Sequence, residues 1–363
     1  MKQVKLIVAF VTGLFAFTSV QAGELSVSGS MQATYQSEQT TTTGNPLGIN
    51  TDITLSGSTD TDFGTVTMSL ATDGTFLSDS GADHKYSLAT GIGTFSVANS
   101  GDAANAVDDI TPSAFEEANG SGSGSYGEDF GSGMEGSMSL GYKNGDLGGT
   151  GISIAYDYYP KLDGTTNAEK KSTADTNAAR TSAQSVNVGI PLSGLPVLGD
   201  TPLGGAKITL GYNQSDSTVA KAQAKEGGTV AVVLPVGPLK VGFQKKAYAA
   251  LGTANTEVMD TFYKDDILGV AYAVNDDFAL SYNLIESVKH NHTAGQEIEQ
   301  ETKAINLAYT VGGLTLGFQD AKTKNSGWST GTDNDTRTFS CLLYTSDAAD
   351  EGLGVDLGGR RII

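Results

Sequence analysis

The sequence predicts an all-β protein: a transmembrane antiparallel β-barrel of 16 strands, with its third external loop folded inward. Three observations predict it. Short segments along most of the chain place an apolar residue at every second position. The residues between are small or polar, so each strand has one apolar face. Connections alternate between tight turns and longer polar loops, the asymmetry of a barrel with short inner turns and long outer loops.

The amino terminus comes first. Lys2 and Lys5 precede an apolar run from Leu6 to Phe17, and small residues stand near Ala22. A positive start, a short apolar core and a small-residue site describe a secretory signal peptide, with cleavage expected after Ala22. The run is too short to span a membrane as a helix. Residues 1–22 are therefore set apart from the fold.

The strands follow in order. Leu25, Val27, Met31 and Tyr35 alternate with Ser26, Ser28, Ser30, Gln32 and Thr34 across Glu24 to Gln36. Leu47, Ile49, Ile53 and Leu55 mark a second strand, Val66, Met68 and Leu70 a third. Tyr86 and Leu88, then Phe95 and Val97, flank a turn at Gly91–Gly93. After a long loop come Met138 to Tyr142, Ile152 to Tyr158 and Val186 to Ile190. The connection 191–205 is rich in Pro, Gly and Leu and has no ready account as an outside loop. One single strand and three hairpins fill 208–318, the hairpins having tight turns at Val236–Gly237, Asn275–Asp277 and Gly312–Gly313. These supply the strands at Ile208, Val230, Leu239, Leu268, Phe278, Ile305 and Leu314. The last strand starts near Asp335 and is cut at Ser340, which leaves it incomplete.

Composition agrees. Hydrophobic residues make up 38%, too few for helices in a membrane but enough for one face of a barrel wall. No later run is long enough for a transmembrane helix. Every backbone group in lipid must be paired, so the sheet must close on itself. Aromatic residues end many strands (Tyr35, Tyr142, Tyr158, Tyr212, Tyr272, Tyr309), as an interfacial girdle requires. A net charge of −19 argues against nucleic acid as a partner. With Cys341 the single cysteine, no disulfide framework is available.

The stretch from Gly91 to Gly133 departs from the rhythm. Its loop is longer than any other, and a structureless loop of that length inside a domain is usually functional. Thr111 can cap a helix and Pro112 suits its first position; Ser-Ala-Phe-Glu-Glu-Ala continues it and Asn119–Gly120 ends it. Asp108, Asp109, Glu116 and Glu117 flank or belong to that predicted helix. Folded into the barrel, the loop would narrow a water-filled pore.

The last block, Cys341 to Ile363, breaks the style of the chain. It resembles the conceptual translation of a transposase-type sequencing-library adapter, which places the end of native sequence near Ser340. On that reading Cys341, Arg360 and Arg361 carry no functional meaning.

An export signal, sixteen alternating strands and a long acidic loop after the fifth strand resemble the general, trimeric porins of Gram-negative outer membranes. The segment SLATGIGTFSVANSGDAANAVDDITPSAFEE is similar to that family's fifth strand and third external loop. The resemblance covers Gly23 to Ser340. It implies a homotrimer in outer-membrane lipid that passes small hydrophilic solutes and ions. It also implies that acids on this loop face bases on the opposite wall. Carried over, Asp108, Asp109, Glu116 and Glu117 form the acidic side. The basic side departs from the family, because Arg180 and Arg337 are the sole arginines before the tail. Lys85, Lys207 and Lys240 are the candidate lumen bases; Lys246 and Lys303 are also read as inward. A weak basic wall opposite an acidic loop predicts mild cation preference.

Rival readings are a substrate-specific porin and a plugged barrel acting as adhesin or enzyme. No catalytic site, cofactor or metal is expected: there is no phosphate loop, no GxSxG elbow, and His290 with His292 makes a poor metal pair placed in a loop. The Asp- and Gly-rich loop after Ala71 lacks the spacing of a calcium loop.

Overall fold

A computed structural model describes residues 24–38, 45–73, 83–99, 101, 103, 106–115, 134, 137–162, 180–194, 199, 201, 203–217, 224–249, 261–291 and 295–345. Within them the chain forms sixteen strands: β1 (Glu24–Glu38), β2 (Leu47–Thr61), β3 (Gly64–Asp73), β4 (Asp83–Thr90), β5 (Gly93–Ala98), β6 (Ser139–Asn144), β7 (Ser153–Tyr159), β8 (Arg180–Pro191), β9 (Lys207–Ser217), β10 (Lys225–Val236), β11 (Leu239–Ala249), β12 (Thr261–Ala273), β13 (Phe278–Asn291), β14 (Gln296–Val311), β15 (Leu314–Lys324) and β16 (Asn334–Thr345). Each strand pairs antiparallel with its sequence neighbours, and β16 pairs with β1, so the sheet closes. Closure leaves no edge strand with unpaired backbone.

Alternation sorts side chains onto two faces. Leu25, Met31, Ile49, Met68, Phe243, Ile305 and Phe339 stand outward and exposed. Their neighbours in sequence turn inward and bond across the wall: Ser26 Oγ to Ser56 Oγ at 2.6 Å, Gln32 Nε2 to Ser340 Oγ at 2.9 Å, Thr302 Oγ1 to Thr323 Oγ1 at 2.9 Å. The water-facing side of the sheet is thus held by polar pairs where a soluble sandwich would hold apolar ones.

The turns reuse one device. In Thr61–Gly64 and again in Thr90–Gly93, the Thr hydroxyl donates to the glycine carbonyl at 2.7 Å. The glycines have φ of 138° and 130°, a conformation that L side chains rarely adopt. A Cβ on Gly64 would also meet the Ala89 carbonyl oxygen at 1.9 Å.

Three expectations change. First, strands outrun the apolar pattern: β12 begins at Thr261, not near Leu268, and β13 reaches Asn291. Backbone pairing continues beyond the apolar band while the outward residues become Lys264, Asp266 and Glu286. Second, His290 belongs to β13 rather than a loop; its Nδ1 lies 2.7 Å from Glu297 and its ring stacks on Phe262 at 4.2 Å. His292 lies outside the described residues. Third, β16 is a full-length strand that runs past Ser340 to Thr345. Cys341 to Thr345 continue the strand, pairing with Gly29–Ala33, and Cys341 and Leu343 keep the outward alternation.

The connection 191–205 gains a partial account. Leu192 and Ala206 are buried, with Leu192 N donating to the Ala206 carbonyl at 2.8 Å. Among the described residues of the connection, Leu192 is thus packed at the β8–β9 end of the barrel, while Leu203 stands exposed.

Candidate functional site: an internal loop seated on one wall

β5 and β6 are six residues each, against sixteen in β14, so the wall is low where the long loop departs. The loop is rooted there. The Asn99 side chain accepts from His84 N. Gly101 lies under Tyr159, where a Cβ would meet the phenol oxygen at 1.5 Å. Met134, on the loop's return, packs with Tyr159, Leu162 and Ala183.

From that root, the described residues run around the inner face of the barrel. Ala103 N donates to Asp157 Oδ2 of β7 at 2.7 Å, and Asn187 Nδ2 of β8 donates to the Ala103 carbonyl at 2.8 Å. Val107 is fully buried over Gly211 of β9. Gln244 of β11 clamps the next turn of chain: its Nε2 donates to the Val107 carbonyl at 2.8 Å, and its Oε1 accepts from Ile110 N at 3.0 Å. Asn283 Nδ2 of β13 donates to the Pro112 carbonyl at 3.1 Å, and Ala114 N donates to Ser281 Oγ at 2.9 Å. Asn306 Nδ2 of β14 reaches Ser113 Oγ at 3.1 Å. Phe115 lies over Gly317 of β15.

The wall is shaped for this passage. A Cβ on Gly242 would meet Pro112 Cδ at 2.3 Å, and one on Gly317 would meet the Phe115 ring at 2.3 Å. Together with Gly211 and Gly269 these residues form a shallow groove, and the amides of Gln244, Asn283 and Asn306 satisfy the backbone lying in it. Buried polar groups are costly unless paired, so the amides fix the loop's register as well as its position.

This seating removes the predicted helix start. Residues 109–115 are not helical. The carbonyl of Pro112, which would accept a bond in the first helical turn, takes the Asn283 amide of the wall instead.

Asp108 and Asp109 part ways. Asp108 Oδ1 lies 3.1 Å from Lys246 Nζ, and the lysine is 2% exposed. Asp265, also buried, is the register partner of Lys246 on β12. Asp108 is thus an anchor holding a buried base. Asp109 is partly exposed, with Thr111 Oγ1 donating to it at 3.5 Å. Glu116 and Glu117 lie outside the described residues.

Lys85, Lys207 and Lys240 all face inward, by parity with Ser87, Thr209 and Gly242. Lys207 lies across Gly189, four residues turnward of the Gly211 contact, and Lys240 two residues turnward of Gly242. Lys246 is inward as expected, but Lys303 is not. It stands on the outer face beside Ile305, with Nζ 2.8 Å from Glu301. In β14 the buried, inward parity belongs to Thr302, Ala304 and Asn306, which leaves Lys303 outside.

The remaining inner surface divides in two. Inward side chains of β9–β16 near the loop are sealed: Asn213, Ile285, Gln300, Gln319 and Thr336 are each 0% exposed. Trp328, from the β15–β16 loop, adds to the cover by donating to Ser287 Oγ at 3.1 Å. On β1–β4, Ser28, Gln32, Thr54, Ser69 and Ser87 stay partly exposed. Among the described residues no group of His, Cys, Asp and Glu is arranged to hold a metal.

No family model and no curated protein sequence matches the chain. Solved structures do. A porin refined at 1.8 Å resolution superposes with a TM-score of 0.60 at 14% identity, covering 89% of this chain and 100% of that one. The trimer form of OmpT, an outer-membrane protein of Vibrio cholerae, gives 0.54 at 11%, covering 90% and 100%. An anion-selective porin from Comamonas acidovorans gives 0.54 at 13%, covering 90% and 99%. At these identities the likeness establishes the fold: the chain has the sixteen-stranded barrel of the porins.

Proposed function

We propose that this chain is a general diffusion porin of a Gram-negative outer membrane, exported through a cleaved signal peptide. It would pass small hydrophilic solutes and ions with a mild preference for cations. One observation carries the reading: the loop is fastened along the inner wall from β7 to β15, and the opposite wall, β1–β4, remains polar and partly exposed. A segment so placed would narrow the lumen from one side and leave the β1–β4 side to the solute. Catalysis plays no part in this reading, which needs a width and a field.

Charge at the narrowing sets the preference, because field lines concentrate in a low-dielectric channel. Asp109, Glu116 and Glu117 are the proposed acids of the loop, with Lys85 opposite and Lys207 and Lys240 below the loop on its own side. Asp108 belongs to the constriction through its anchor. The similarity to a trimeric outer-membrane protein supports a homotrimer in outer-membrane lipid. One structure with this fold is an anion-selective porin, so the proposed cation preference rests on the side chains and not on the barrel.

Planar-bilayer recording on the purified full-length protein tests the proposal. Ohmic channels with a reversal potential of cation sign in a KCl gradient are expected. Saturable block by one solute would favour a substrate-specific porin. Absence of conductance would favour a plugged barrel serving as adhesin or enzyme.

A further inference from the structure

Asp52 belongs to the open wall. It lies on β2 with inward parity, between Asn50 and Thr54, and is partly exposed. Its carboxylate accepts from Ser30 Oγ at 3.1 Å and from Asn50 Nδ2 at 3.2 Å. Both donors are neutral. Asp108, by contrast, is held by the Lys246 ammonium.

The register places Asp52 at the height of the loop. Ala98 is the last β5 residue before the loop, and pairing runs Ala98–Lys85–Ser69–Ser56, three strand steps to β2. Gly317 holds Phe115 at the far end of the described loop segment. From it pairing runs Gly317–Ser340–Thr34–Gly48, three steps to β2 from the other side. Asp52 is four residues from Ser56 and four from Gly48. In a barrel of tilted strands a pairing row climbs relative to the axis. A level circuit through the loop therefore crosses β2 midway between the two rows, which is at Asp52.

We infer that Asp52 is a selectivity-determining residue of the pore: a fixed negative charge on the open wall, opposite the loop, that attracts cations and opposes Lys85 two strands away. On its face of the wall Asp52 is bordered by Ser28, Ser30, Thr54 and Ser69 and stands in register with Asp73 of β3, and none of these residues brings a positive charge to offset it. This puts an acid on the wall where the family resemblance implied a basic one. The inference rests on the pore reading and deepens it.

Zero-current potentials in a KCl gradient test it, measured on the full-length wild type, Asp52→Asn, Asp52→Lys and Asp60→Asn. Asp60 shares the strand and parity but sits at the turn, with Thr65 Oγ1 donating to it at 2.6 Å. Removing Asp52 should lower the K⁺/Cl⁻ permeability ratio by about twofold or more, and Asp52→Lys should carry it further toward anions. Asp60→Asn should leave it unchanged. Asp52→Ser repeats the test with a side chain common on that wall, should the amide variant fail to assemble. An unchanged ratio in the Asp52 variants, or an equal shift in Asp60→Asn, would overturn the inference while leaving the pore. A wild type without channels would overturn the pore reading itself.

Discussion

The two halves of the inner wall use the same alternation to different ends. On β7–β15 the inward positions that meet the loop are glycines, amides, a serine, Asp157 and Lys246, shaped to receive a chain. On β1–β4 they are mainly serines and threonines with open space before them. In the first half an inward residue is judged by what it holds; in the second, by what it presents to water. Composition alone does not separate the two, because both halves are small and polar.

Substitution should separate them sharply. The largest effect belongs in the groove. Gly242→Val or Gly317→Leu would place side-chain atoms where Pro112 and Phe115 lie, within 2.3 Å of the missing Cβ. The loop would be pushed off its wall, and single-channel conductance should fall by about twofold or more, since overpacked sites shift the backbone. Gly228, whose Cβ would meet nothing within 4 Å, should accept Val with no change in conductance.

Next comes the buried charge. Lys246→Met would leave Asp108 and Asp265 without their shared base, at a cost of about 3–5 kcal/mol. Urea-induced unfolding of the refolded protein in detergent should show it. Adding Asp108→Asn should recover part of the loss, and a double variant no better than the single would break the anchor assignment.

Gln244→Ala should cost less, about 1–3 kcal/mol, because it orphans the Val107 carbonyl and the Ile110 amide. Faster proteolysis within residues 101–115 would report the loosening. The smallest effect belongs to the open wall. Ser28→Ala or Thr54→Ala should stay within about 0.5 kcal/mol of wild type, since neither side chain carries the loop.

The barrel was legible because lipid imposes a two-residue rhythm wherever it touches the wall. The strand at Ile305, Leu307 and Tyr309 could be read from that rhythm alone. Its extension to Gln296 could not, because outward Glu301 and Lys303 belong to wall beyond the apolar band. The same limit misplaced Lys303, whose parity follows from Ile305 once the strand is known to continue. Within the site, the length of the loop and its acids were visible. The separate fates of Asp108 and Asp109 were not, since adjacent carboxylates differ only in which one meets Lys246 across 138 residues of sequence. The glycine groove left a trace that parity could have found: Gly211, Gly242, Gly269 and Gly317 stand at inward positions of β9, β11, β12 and β15.

Cysteine accessibility tests the division of the wall most directly. With Cys341 replaced by Ser, single cysteines at Ser28 and Ser56 would face the open bore, and those at Thr302 and Asn213 the covered wall. A charged thiol reagent added during bilayer recording should change conductance stepwise at Ser28 and Ser56, and leave it unchanged at Thr302 and Asn213. Rapid conductance change at Thr302 and Asn213, with none at Ser28 and Ser56, would mean that the bore runs along the other side of the loop.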